Sequence, residues 1–245
     1  ETYRIITKHV FPNAVCITDH FHVIQELNRR VDRVRIRVQN RFRKTINTLK
    51  PKENNKTITP EEIVELEEAS RYYYVLKKFN WLLASTNKKI LDVNVERRFN
   101  RTLNRYLNYS EILAYMLNID DELEEAFYLR NDVTYFYDHC TYDTAKKQLE
   151  KIIIDFRSST VAEMSPFANT LTNWKKEIIN SFIIVDDKVN RKMNTAIVEN
   201  RNKSIKLMKH ASNGYLNWER FRNRILYTLN EDTTFYYTSI RKDGK

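Results

Sequence analysis

The sequence predicts a mainly α-helical fold with one recognisable strand. Three observations carry that expectation. Glycine and proline number 2 and 4 in 245 residues; a large β-sandwich or a glycine-rich nucleotide-binding α/β domain would need more of both. Apolar residues recur at steps of three and four along most of the chain, the period of an amphipathic helix. Only Ala14-Val15-Cys16-Ile17-Thr18 forms a compact β-prone run. At this length the chain can bury a core in one or two domains. It opens on Glu1 rather than Met, which leads us to expect a fragment or a processed piece.

Taken in order, residues 2–10 (TYRIITKHV) read as a short amphipathic helix ending before Pro12. The run 14–18 stops on Asp19, followed by His20-Phe21-His22. A strand end is a place where catalytic carboxylates are displayed; Asp19 also suits the N-cap of the next helix, and the two roles are compatible. From Phe21 to Leu49 the pattern is one long helix. Val23, Leu27, Val31, Val34, Val38, Phe42, Ile46 and Leu49 form its apolar stripe. Arg29, Arg33, Arg37, Arg41 and Lys44 line another face, a basic rail suited to phosphates or, alternatively, to solvent.

Residues 50–58 read as a polar loop. Thr59-Pro60-Glu61-Glu62 is a helix start with an N-cap threonine, proline at the first position and glutamate at the third. This helix is expected to reach Leu83, and another to cover 90–107. Further helices follow at 110–118, 120–138, 142–157 and 166–181, with starts at Ser110, Asp120, Thr141 and Ser165. The acids Asp120, Asp121, Glu122, Glu124 and Glu125 could bind a metal, but in a first helical turn they suit the macrodipole and solvent. Residues 183–190 read as a connection containing Asp186 and Asp187. The last helical stretch carries one acid, Glu199, among Lys203, Lys206, Lys209 and His210, and Gly214 is placed to cap it. A second basic, aromatic helix follows with Trp218, Arg220, Phe221, Arg222 and Arg224, and residues 231–245 form a polar tail.

The net charge of +10 and pI near 9.4 favour an anionic partner, nucleic acid first among them. Cys16 and Cys140 stand alone, which argues for a reducing compartment and against a zinc site or a disulfide framework. No apolar run approaches the roughly 20 residues that span a bilayer.

Four stretches together resemble one family. FPNAVCITDHFHVIQELNRRVDRVR (11–35) is similar to the segment around the second catalytic Asp of bacterial insertion-sequence transposases of the ISL-three type. ENRNKSIKLMKHASNGYLNWERFRNRIL (199–226) is similar to the segment around that family's catalytic Glu, and YYYVLKKFNWLL (72–83) and FANTLTNWKKEIINSF (167–182) resemble its inter-motif helices. The resemblance implies a partial ribonuclease-H-like α/β catalytic core with a large all-helical insertion. Residues 1–37 and 183–230 would belong to the core and 38–182 to the insertion. It implies a DDE mechanism in which carboxylates hold two divalent ions, Mg2+ or Mn2+, about 4 Å apart. Asp19 takes the place of the second Asp and Glu199 that of the Glu, both catalytic and metal-binding. The first Asp has no counterpart here, so the chain is expected to be a C-terminal fragment without a complete metal site. Asn194 and Glu199 are followed by Thr195 and Asn200 where the family pattern has glycines.

The resemblance further implies double-stranded DNA as partner, a homo-oligomer assembled on it, no nucleotide cofactor, no membrane, and the bacterial cytoplasm. Arg29, Arg33, Arg37, Arg41, Lys203, Lys206, Arg222 and Arg224 are the candidate DNA contacts. Two functions follow: metal-dependent DNA strand cleavage and transfer, or a non-catalytic basic helical module, a decayed remnant that binds DNA or a protein.

Overall fold

The computed structural model describes residues 9–11, 13–186, 191–193 and 196–229. They fall into two compact units, residues 1–193 and 194–245, taken here one at a time. The helices expected from the sequence dominate both. The helix expected over residues 2–10 lies, up to Lys8, outside the described residues.

The first unit is built on α1, His20–Asn54. Asp19 starts it: its carboxylate accepts the Phe21 N–H at 2.8 Å, satisfying one of the donors that a helix start leaves open. Six of the eight residues of the expected stripe are buried, and Phe42 and Ile46 are half-buried. Leu27, Val34 and Val38 are fully enclosed, and Val23, Val31 and Leu49 nearly so. Each such side chain contributes about 1.5–3 kcal/mol by leaving water. α1 runs five residues past its expected end, through Pro51. Lys52, in the extra turn, pairs with Glu62 at the start of the next helix.

α2, Pro60–Lys78, packs along α1. Its start is the expected one, with reciprocal bonds between Thr59 and Glu62. It stops before Leu83, because Phe79 leaves helical geometry and a 3-10 turn, Asn80–Ala84, follows.

The helix expected over 90–107 does not form. Turns lead instead to a two-stranded antiparallel hairpin, β1 Arg98–Asn100 and β2 Arg105–Leu107, with Phe99 opposite Tyr106. The reason lies in short polar side chains that bond the local backbone in place of a helical ladder. Asn87 accepts from Lys89 N–H and Asp92 from Asn94 N–H. Asn100 accepts from both Thr102 and Leu103. Asn104 then takes a left-handed φ of 51°, which asparagine tolerates better than most residues.

α3, Tyr109–Leu117, starts on Asn108 rather than Ser110, again with a reciprocal cap from Glu111. α4, Asp121–His139, and α5, Tyr142–Ser158, start at Asp120 and Thr141 as expected. The single helix expected over 166–181 is two, α6 Phe167–Asn173 and α7 Lys175–Asn180, jointed at Trp174 with φ −103° and ψ 12°. Residues 183–190 contribute β3, Ile184–Asp186, which pairs antiparallel with β4, Arg191–Lys192; Asp187 lies outside the described residues.

The lone strand expected at 14–18 is not a strand. Its backbone groups are taken by α7: Thr18 N–H donates to the Glu177 carbonyl at 3.1 Å and Asn180 donates to the Cys16 carbonyl at 2.9 Å. With those partners the β-prone run is satisfied without a sheet neighbour.

The acidic turn at 120–125 does more than face solvent. Asp120 caps α4 through the Leu123 N–H and also accepts from Arg41 at 2.6 Å. Glu122 pairs with Arg37, and Glu163 grips the same guanidinium with both oxygens, at 2.8 and 2.9 Å. The hydrogen bonds from Arg37 hold the Glu163 carboxyl below its ordinary 4.5, burial opposing. A carboxyl with a depressed folded-state pKa adds stability above its unfolded value and loses it as pH falls through the folded one. The Glu163 contribution is therefore full above its ordinary 4.5 and is lost progressively as pH falls below that toward the lower folded-state value. In a series of urea melts, Glu163→Gln is expected to flatten the fall in stability across that acid limb. An unaltered acid limb would sink this attribution.

In the second unit, α8 spans Ala196–Ala211 and α9 spans Trp218–Leu229. α8 ends as expected, with Gly214 at φ 97° and its N–H on the Lys209 carbonyl at 3.0 Å, and Asn213 is also left-handed at 52°. Phe221 stacks on Tyr215 at 4.7 Å, and Arg201 donates to the Leu229 carbonyl, closing the pair. The two cysteines are free thiols, and among the described residues no helix is long and apolar enough to cross a membrane.

Candidate metal and DNA site

Asp19 is the most enclosed of the candidate acids. Its side chain is 9% exposed, held at the N-terminus of α1 where the helix dipole favours a negative charge. His20 lies 3.6 Å from the same oxygen that caps the helix and is itself well exposed. Behind Asp19 stands Tyr137 of α4. Its hydroxyl is buried with no hydrogen-bond partner among the described residues. Burial, and secondarily the Asp19 charge, push that phenol well above its ordinary value. Its ring stacks parallel to Phe182 at 5.7 Å and lies 5.7 Å from the His20 ring. Lys192 of β4 donates to the Tyr137 carbonyl at 2.8 Å and the Cys140 carbonyl at 3.2 Å, its ammonium 4.5 Å from the Phe182 ring centroid. The second Thr18 polar atom, Oγ1, is also buried without a partner. Asp19 thus lies close to the buried Tyr137 hydroxyl and next in sequence to the buried Thr18 Oγ1.

Sequence reasoning passed over Tyr137 and Lys192. Tyr137 follows Phe136 on α4 and reads as one more core aromatic. The contacts of Lys192 depend on β4 returning to α4, which no local pattern announces.

Glu199 lies in the first turn of α8 and is exposed. A carboxylate there is favoured by the same dipole argument. Lys203 and Lys206 are exposed on α8, as are Arg222 and Arg224 on α9. Asp19 and Glu199 fall in different units. Among the described residues no group of three or more His, Cys, Asp or Glu side chains converges as a metal site would.

The basic rail on α1 divides into two kinds of arginine. Arg29 keeps a long contact to Glu26, 3.7 Å, with its side chain 61% exposed, and Arg33 is exposed. Arg37 and Arg41 are engaged by Glu163, Glu122 and Asp120 from other elements. The hydrogen bonds that Arg37 donates to Glu163 and Glu122 raise its pKa above the ordinary value. Arg33, Arg37, Arg41, Arg43 and Lys44 nevertheless line one open groove on α1.

The family model of DDE transposases of the ISL3 type, described as transposase, matches residues 1–225. Neither a curated protein nor a solved structure matches the chain. The match takes in nearly the whole sequence, from the segment before Asp19 to the basic helix after Glu199, and the chain therefore belongs to the ISL3 family of transposases, a class of enzymes that cleave and transfer DNA.

Proposed function

We propose that this chain carries the DDE catalytic region of its transposase, with Asp19 and Glu199 as metal-holding carboxylates. Residues 1–37 and 183–230 then form part of a ribonuclease-H-like core, and 38–182 a helical insertion. The observation that carries this reading is the setting of Asp19: an enclosed carboxylate fixed by a helix start, in the stretch that matches the family. Its oxygen donors, with those of Glu199, suit a hard cation such as magnesium or manganese. The resemblance implies one further carboxylate to complete the set. When bound, such ions activate the attacking hydroxyl and stabilise the leaving oxygen of the phosphodiester.

The chain's own residues bind and orient. The Phe21 N–H fixes the Asp19 carboxylate. The buried Tyr137 ring borders it on one side. Exposed Lys203 and Lys206 flank Glu199 with positive charge for a phosphate backbone. The experiment that tests the assignment is strand cleavage by full-length Asp19→Asn and Glu199→Gln proteins, with DNA binding followed in parallel. Variants that cut at the parental rate overturn it.

The rail makes a separate expectation. Each phosphate contact contributes about 0.9 to the slope of log affinity against log salt. Removing Arg29 and Arg33 together is expected to flatten that slope by about 2. Arg37 and Arg41 must first leave their carboxylates, so their removal should flatten it less. An identical slope in the Arg29/Arg33 double variant would return that face to solvent.

A further inference from the structure

The hairpin that replaces the expected helix presents an unusual surface. Leu103 in its turn is buried, and Leu107 packs against the core. Those anchors leave Phe99 and Tyr106 facing outward, 52% and 67% exposed, with ring centroids 5.1 Å apart. Under the hairpin lies a cavity of about 740 Å3. Arg98, Arg101, Phe99, Tyr109, Lys78 and Tyr74 are among the residues that line it. Arg105 is exposed on the neighbouring strand. Glu96 is the one acid among the lining residues, and nearby Glu111 is taken by Arg97. Lys78 hangs over the Tyr74 and Phe79 rings, at 5.2 and 5.8 Å, and donates to the Tyr74 hydroxyl at 3.0 Å. Trp81, 41% exposed, meets Tyr109 edge-on at 5.2 Å beside the mouth.

Exposed rings among arginines and lysines match the chemistry of an unpaired nucleotide. A base has an aromatic face that stacks on a ring whatever its identity, and the phosphates next to it seek cations. A duplex, with its bases stacked inside, offers only its backbone to such a surface. The cavity is of the size that takes a small planar ligand and is too small for a double helix. We propose that the hairpin and this cavity bind unpaired nucleotides of the DNA substrate. A base stacks on Phe99 and Tyr106, and Arg98, Arg101, Arg105 and Lys78 hold the adjoining phosphates. This rests on the reading that DNA is the substrate, and adds that single-stranded segments of it are engaged at a place separate from Asp19.

The test compares a fluorescent single-stranded oligodeoxynucleotide with a duplex of the same sequence, by anisotropy, on the whole chain. Phe99→Ala combined with Tyr106→Ala is expected to weaken single-strand binding by roughly tenfold or more and leave duplex affinity within about twofold. Tyr106→Trp should keep single-strand binding. Because the double variant could loosen the hairpin, Arg101→Gln serves as a second probe. It lies at the turn and should lower the single-strand salt slope by about 0.7. Single-strand affinity untouched by both changes overturns the inference, as does an equal loss for duplex and single strand. A parental chain that binds neither form removes the DNA reading itself, and this inference with it. Duplex binding with no single-strand binding removes only the inference.

Discussion

Asp19→Asn in the full-length transposase is expected to lower strand cleavage and joining by about three orders of magnitude or more, since a metal ion supplies several kcal/mol of charge stabilisation. The substitution is chosen because it separates chemistry from folding. Asparagine caps a helix about as well as aspartate, so the Phe21 N–H keeps its acceptor and α1 keeps its start. What disappears is one negative charge at the proposed metal site. Glu199→Gln should behave alike, with at most the loss of about 0.3–1 kcal/mol of helix-dipole stabilisation in the first turn of α8. Duplex affinity should hold in both variants. Retention of cleavage by either protein removes that acid from the metal site. Joint loss of cleavage and DNA binding would point to unfolding and call for a thermal melt before anything is concluded.

The largest expected effect on stability is at Arg130. This arginine is 2% exposed in the middle of α4. Its guanidinium donates to Asn28 of α1 at 2.8 Å, to Asn131 at 2.9 Å and to the Ala84 carbonyl at 2.9 Å. One side chain thus ties three separate elements, and burial lowers its pKa from the ordinary guanidinium value. Arg130→Ala takes the donor away from three acceptors on half-buried or exposed residues and opens a cavity where the buried side chain stood. A hydrogen bond from a charged group contributes about 1.5–3 kcal/mol where it is shielded from water and less at half-exposed acceptors, and the lost packing of a buried side chain adds about 2 kcal/mol or more. A total of about 4 kcal/mol is expected, a drop in Tm of roughly 8–16 °C for a chain of this size. Arg130→Lys should recover little, because an ammonium cannot fork toward three acceptors. A melt within about 2 °C of the parent would show that the network is dispensable.

Much of this architecture was legible in the amino acids because it is local. The stripe from Val23 to Leu49, the Thr59–Glu62 cap, the starts at Asp120 and Thr141 and the left-handed Gly214 depend on residues a few positions apart. The failures have a common cause. The run Ala14–Thr18 has the composition of a strand, yet its partner is a helix some 160 residues on, and composition does not reveal partners. The stretch 90–107 carries apolar spacing suited to a helix, but Asn87, Asp92, Asn100 and Asn104 offer the backbone closer bonds. The rail on α1 was readable as charge; that Arg37 and Arg41 meet Asp120, Glu122 and Glu163 was not, because that pairing exists only once α4 folds back. The proposal of Asp19 and Glu199 as site residues rests on the family resemblance. Tyr137 had no sequence signal beyond its place in a core helix.

Asp19 sits at the tip of a helix of 35 residues, about 52 Å long. That length makes α1 a lever. Its middle is clamped by α2 and α4, and its far end is tied through Lys52 and Glu62. A tilt of about 2° around the midpoint carries the tip through roughly 1 Å, and displacement by 1 Å is enough to cost about a hundredfold in a reaction that depends on alignment. The aim of the carboxylate is thus tied to the packing of the whole bundle along α1. Strain imposed on that bundle, by a bound strand or a packing defect, would arrive at the acid as a change of angle.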